Sequence, residues 1–201
     1  MDMDTTNCPP IGVNGPNAAR IADWSSMVQD LTLAAECCER LARFPDEPQE
    51  GEDMVVRRAL WQAAIISYGR AFTSGKGHQG QKREPFPDVV LDTLTAEQRE
   101  LHDAVRDERN QHVGHRVDER EQGLVNVYLT PPDRGRGVEC VAAPLVTMVG
   151  PTREYVERVR NLAAYLAHHL TDGVRHAQGV VLEAAKRDLD RLYELVAARD
   201  A

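Results

Sequence analysis

Residues 109–115 read Arg109-Asn110-Gln111-His112-Val113-Gly114-His115, an arginine and an asparagine followed after four residues by a histidine. A neutral imidazole takes and returns protons near pH 7, and an arginine fork offers permanent donors to charge that develops on an oxyanion. The bare pairing of Arg with His four to six residues on carries little information here. With 21 Arg and seven His, roughly two such pairs arise by chance, and two are present, Arg106 with His112 and Arg109 with His115. Requiring Asn directly after the Arg lowers the chance expectation to about 0.02, so the fuller motif is the informative one. On a straight α-helix six residues are ~9 Å of rise and leave Arg109 and His115 ~120° apart, so one copy does not readily wrap a phosphate. Two geometries relieve this. A twofold pair of chains builds a composite cleft, or Gly114 ends the helix in the left-handed region and swings His115 back. The plain alternative is that Arg109 pairs with neighbouring carboxylates such as Asp107 and Glu108, while His112 and His115 bond backbone groups at a helix end.

The motif stands late in a helix that the sequence begins clearly. Thr95 and Gln98 form a capping box, and Leu101 and Val105 continue an inner face. Before it, residues 1–16 are polar and rich in Pro and Gly and predict a flexible arm. Ile21, Trp24, Val28, Leu31, Ala35, Cys38 and Leu41 recur at steps of three and four, which predicts a helix ending near Phe44-Pro45. A second, largely buried helix is predicted over 52–72. Residues 73–90, rich in Gly, Pro and charge, predict an extended surface loop. After the motif, β-branched runs within about 123–149, separated by Pro131-Pro132-Asp133 and Gly135, predict a β-hairpin. From 151 a 3.5 to 3.7 spacing of apolar residues predicts one long helix or two, with a break near Thr171-Asp172-Gly173. The expected fold is all-α: a four- or five-helix bundle in one domain over 17–201, with a β-hairpin inserted before the C-terminal helices.

Composition excludes several functional classes. The chain has 201 residues, 42% hydrophobic and 28% charged, as an ordinary globular domain does. No apolar run approaches the ~20 residues of a membrane span, and the acidic start lacks the parts of a signal peptide, so a cytoplasmic protein without a membrane partner is expected. Cys8, Cys37, Cys38 and Cys140 lack metal-ligand spacing and predict reduced, mostly buried thiols. A net charge of −8 argues against a broad electrostatic grip on nucleic acid, so any RNA contact is local.

Other motifs add little. His102, His112 and His115 are spaced too widely for a compact metal site on one helix, and no metal or other cofactor is expected. Ser74-Gly75-Lys76-Gly77 lacks phosphate-loop spacing and a preceding strand. Yet Lys76 and Lys82 are two of only three lysines in the chain, and with Arg83 and Arg70 they supply a candidate phosphate-binding patch, against a solvated loop as the alternative. Tyr68 is expected in the core with its hydroxyl bonded, and Arg70, two residues on, near the surface.

A helical chain carrying Arg-Asn-x4-His late in a helix resembles the HEPN superfamily. LWQAAIISYGRAF at 60–72, the basic loop and LHDAVRDERNQHVGHRV at 101–117 are similar to a group of bacterial HEPN-type proteins, over about residues 55–130. The resemblance implies a metal-independent endoribonuclease with Arg109 and His115 as the active pair, Asn110 as the polar residue beside the arginine and His112 as an auxiliary. The product would carry a 2′,3′-cyclic phosphate. It also implies a homodimer, a toxin, defence or RNA-turnover role, and a cognate antitoxin or other protein partner. Non-catalytic HEPN-like modules for dimerisation or for nucleotide, RNA or protein binding are the alternative.

Overall fold

The computed structural model describes residues 10–45, 52–78, 81–114, 125–142 and 151–199. Among them are six α-helices, α1 (Pro16–Leu41), α2 (Glu52–Arg70), α3 (Asp88–Leu91), α4 (Ala96–Gly114), α5 (Arg153–Arg187) and α6 (Leu189–Arg199), and two strands, β1 (Asn126–Leu129) and β2 (Val138–Ala142). The chain is therefore mostly helical, with a small antiparallel hairpin ahead of its C-terminal helices, as its periodicity predicts.

Local chemistry explains most boundaries. Pro16 opens α1 where its missing N–H costs nothing, directly after Gly15, whose φ of 131° suits glycine. Helix α4 starts with the expected capping box: Gln98 N–H donates to Thr95 Oγ1 at 3.2 Å, and Thr95 N–H donates to Gln98 Oε1 at 3.0 Å. Thr152 caps α5 in a similar way, accepting from Tyr155 N–H at 3.3 Å.

Two expectations are corrected. Residues 73–90 are not simply an extended surface loop, because Phe86 is buried and stacks 4.7 Å from Phe72, and α3 begins at Asp88. The predicted break at Thr171-Asp172-Gly173 is absent, since α5 runs through both Gly173 and Gly179 and the chain breaks at Asp188 instead. Gly173 is there for close approach: a Cβ at that position would stand 3.1 Å from the Trp24 ring. The helix accepts the propensity cost of glycine, ~1 kcal/mol, to let the indole sit against its backbone.

The contacts divide the chain into two interleaved compact units. The first comprises residues up to 32, 70–93 and from 164 onward; its core includes Met27, Leu31, Phe86, Leu166, Leu170 and Val174. The second comprises 33–69 and 94–163; its core includes Trp61, Ile65, Tyr68, Leu101, Val105, Val156, Val159 and Leu162. Cys37 and Cys38 are buried free thiols in the second unit, and burial and the neighbouring Cys37 push the Cys38 thiol up to about 12. Cys140, on β2, is free and exposed.

In the hairpin, Val127 pairs with Val141 and Leu129 with Val138, with Glu139 as the extra residue of a bulge. The bulge keeps these four on one face, and all four are exposed. A turn of 3-10 helix at Pro132–Arg134 and Gly135, at φ 101°, close the loop. No helix among the described residues is long and apolar enough to cross a membrane.

Candidate functional site

Helix α4 presents polar as well as apolar groups to the interior of its unit. Leu101, His102, Val105 and Glu108 are all buried, at helical spacing. Each buried polar group has an aromatic partner from α2. Tyr68 Oη and His102 Nδ1 share a hydrogen bond of 2.8 Å, and Trp61 Nε1–H donates to Glu108 Oε1 at 2.9 Å. These two bonds fix α4 against α2, since a buried donor or acceptor that loses its partner costs ~1–3 kcal/mol. As expected, Tyr68 is core and its hydroxyl is bonded, while Arg70 is largely exposed.

Burial, reinforced by the charge of Arg106 and partly offset by Asp103, pulls the His102 pKa down to about 4. In the unfolded chain it returns to ~6.5, so between those values the unfolded state binds more protons and stability falls as pH falls. The expected loss is up to ~1.4 kcal/mol per pH unit, roughly 3 kcal/mol in all from pH 6.5 to 4. Urea denaturation at pH 7.5 and 5 checks this. His102→Asn, which keeps a hydrogen-bonding group beside Tyr68, is expected to be less stable at pH 7.5 and to show a much flatter dependence over that range.

Arg109 follows directly. Its stem lies on the backbone of α2 at Gly69, where an added Cβ would stand 2.8 Å from Arg109 Cγ. Only glycine permits that approach without displacing the arginine. Arg109 Nη1 donates to Asn110 Oδ1 at 3.0 Å, and Nε is buried without a hydrogen-bond partner. Among the described residues, Asp107 and Glu108 included, Arg109 has no carboxylate partner. Asn110 orients the guanidinium itself. His115 and the side chain of His112 lie outside the described residues.

No protein-family model, curated protein or solved structure matches the chain.

The candidate phosphate-binding residues fall into two pairs. Arg70 and Arg83 converge on Asp30, at 3.4 Å and 4.0 Å, and Arg83 Nη1 also donates to the carbonyls of Arg70 at 2.7 Å and Thr73 at 3.4 Å. Their charge is therefore largely engaged in holding the loop. Burial raises the pKa of Asp30, and the two guanidinium groups only partly restore it. Lys76 and Lys82 are exposed and face each other across an isolated antiparallel bridge. Among the described residues, no group of three or more His, Cys, Asp or Glu side chains is arranged to hold a metal ion.

A second anchor of this loop escapes sequence reasoning. Asp23 is 1% exposed, and its carboxylate accepts from the backbone N–H of His78 at 2.7 Å, from the His78 imidazole at 2.7 Å and from the backbone N–H of Glu84 at 2.9 Å. The available signal was a charged residue on the helical spacing Ala19, Asp23, Met27, Asp30, Ala34, all of which are buried.

Proposed function

We propose that the chain is a metal-independent endoribonuclease of HEPN type, acting as a homodimer in a toxin, defence or RNA-turnover role. The observation that supports the reading is the state of Arg109: a guanidinium held by Gly69 and Asn110 on the last turns of α4, with its charge unspent on any described carboxylate. Such a group suits charge developing on phosphoryl oxygens. In this mechanism His115 takes the proton from the 2′-hydroxyl, the 2′-oxygen attacks phosphorus, and the 5′-oxygen leaves with a proton. The products are a 2′,3′-cyclic phosphate and a 5′-hydroxyl. Arg109 and His115 from two copies form each cleft, because their ~120° separation on one helix leaves a single copy with half of it.

The exposed apolar face of the hairpin favours a second reading, a non-catalytic HEPN-like module that binds protein through it. One experiment separates them. Purified protein is incubated with labelled RNA in EDTA. Cleavage that leaves a 2′,3′-cyclic phosphate and is lost in both Arg109→Met and His115→Ala supports the enzyme; cleavage unchanged in either variant sinks the site, and intact RNA leaves the binding module.

A further inference from the structure

The loop at 73–84 carries more structure than a solvated connection needs. Gly77 N–H donates to Gln81 O at 2.8 Å and Arg83 N–H donates to Gly75 O at 2.9 Å. These two bonds flank the Lys76–Lys82 bridge and make it a non-hydrogen-bonded antiparallel pair, the position where opposed side chains share a face and stand closest, with Cα atoms ~4.5 Å apart. Two like charges directly opposite one another are destabilising. Here neither lysine has an anionic partner among the described residues to relieve it. The repulsion is borne by the anchors: Asp23 holds the backbone of His78 and Glu84, Arg83 is tied to Arg70, Thr73 and Asp30, and a Cβ at Gly77 would stand 2.5 Å from Asp23 Oδ2. The loop is thus stapled to α1 in a form that sets two exposed lysines opposite one another, with no anionic partner among the described residues.

We propose that Lys76 and Lys82 form a two-lysine clamp for a phosphate of the RNA backbone, a contact separate from the Arg109 motif. An anion between the ammonium groups turns their repulsion into two charge-assisted hydrogen bonds. The inference takes RNA as its ligand from the ribonuclease reading. The observations favour a single strand over a membrane surface, because anionic lipid recognition draws on clusters of four to eight cations, whereas this pair stands on a chain of net charge −8. Of the four basic residues, Arg70 and Arg83 belong to the scaffold, whereas the two lysines are exposed and have no anionic partner among the described residues.

The test measures binding without cleavage. A short fluorescein-labelled 2′-O-methyl oligoribonucleotide, which lacks the attacking hydroxyl, is titrated with full-length protein by anisotropy over a range of salt concentrations. Lys76→Gln with Lys82→Gln is expected to weaken binding and to flatten the slope of log K against log salt by about 0.7, the value for one phosphate neutralised on a single strand. Lys186→Gln, which removes the remaining lysine, held 2.8 Å from Glu183, is expected to leave the slope unchanged. The thermal midpoint of the double variant should hold or rise, because a like-charge pair is removed. An unchanged slope overturns the clamp, as does a fall in midpoint that accounts for the lost binding. Loss of sedimentation with phosphatidylserine vesicles, at unchanged oligonucleotide slope, also overturns it in favour of a membrane surface. The two readings fail separately: binding that loses its slope with no cleavage of ordinary RNA ends the ribonuclease reading alone, and cleavage with an unchanged slope ends the clamp alone.

Discussion

Arg109→Met is expected to lower RNA cleavage in EDTA by about 10²–10³-fold, the cost of removing one donor aimed at a developing oxyanion, while changing stability by less than about 1 kcal/mol. The methionine keeps an unbranched stem to lie on Gly69, so contact with the α2 backbone survives. The guanidinium that leaves has a buried Nε without a hydrogen bond and, among the described residues, bonds the side chain of Asn110, which is exposed, so little structural energy leaves with it. A purely structural arginine would give the opposite pattern, with unfolding and activity falling together. Asn110→Ala is expected to cost less, about tenfold and mainly in kcat, because it frees Arg109 from its orientation and leaves the charge in place. Gel analysis of labelled RNA, with denaturation curves on the same preparations, reads both quantities.

Asp23→Ala is expected to destabilise the fold by about 3 kcal/mol, in the range for breaking a buried charged network. The change strands the backbone N–H groups of His78 and Glu84 beside a cavity and releases the His78 imidazole. In a chain of this length that is a fall in Tm of roughly 6–12 °C. Asp23→Asn should fall between, since its amide oxygen still accepts but its NH2 confronts another donor. Limited proteolysis should cut the variants first within 73–84. The carboxylate also has its own pH signature. Burial raises its pKa, and the N–H groups of His78 and Glu84 with the imidazole more than offset this, leaving it below its usual value. A depressed carboxyl contributes stability that is complete above the unfolded value of 3.8 and is lost as pH falls through the lower folded one. The Asp23 window therefore lies below about pH 4, whereas that of His102 lies between 6.5 and about 4.

Helices were legible where one local rule dominates. The Thr95–Gln98 capping box, the stop of α1 ahead of Pro45 and the β-branched runs on either side of Pro131-Pro132-Asp133 depend on neighbours a few positions apart, and each stands close to its predicted place. The error at Gly173 has the same origin. Its propensity argues for a break, but the Trp24 ring needs the space that glycine leaves, and a contact across 149 positions outweighs a local preference of ~1 kcal/mol.

The Arg109-Asn110 pair and the helix that carries it were determined by the sequence alone, because motif spacing and helix capping act within one or two turns. How Arg109 lies on α2, how the basic loop is anchored and which of its cations are tied into that anchor were decided only in three dimensions. Asp23 and Asp30 are separated from the loop residues they hold by 53 to 61 residues, and Gly69 from Arg109 by 40, so no periodicity links them. Burial then changes what each group can do: it keeps His102 neutral, makes Asp23 a staple and leaves Arg109 Nε without a hydrogen bond.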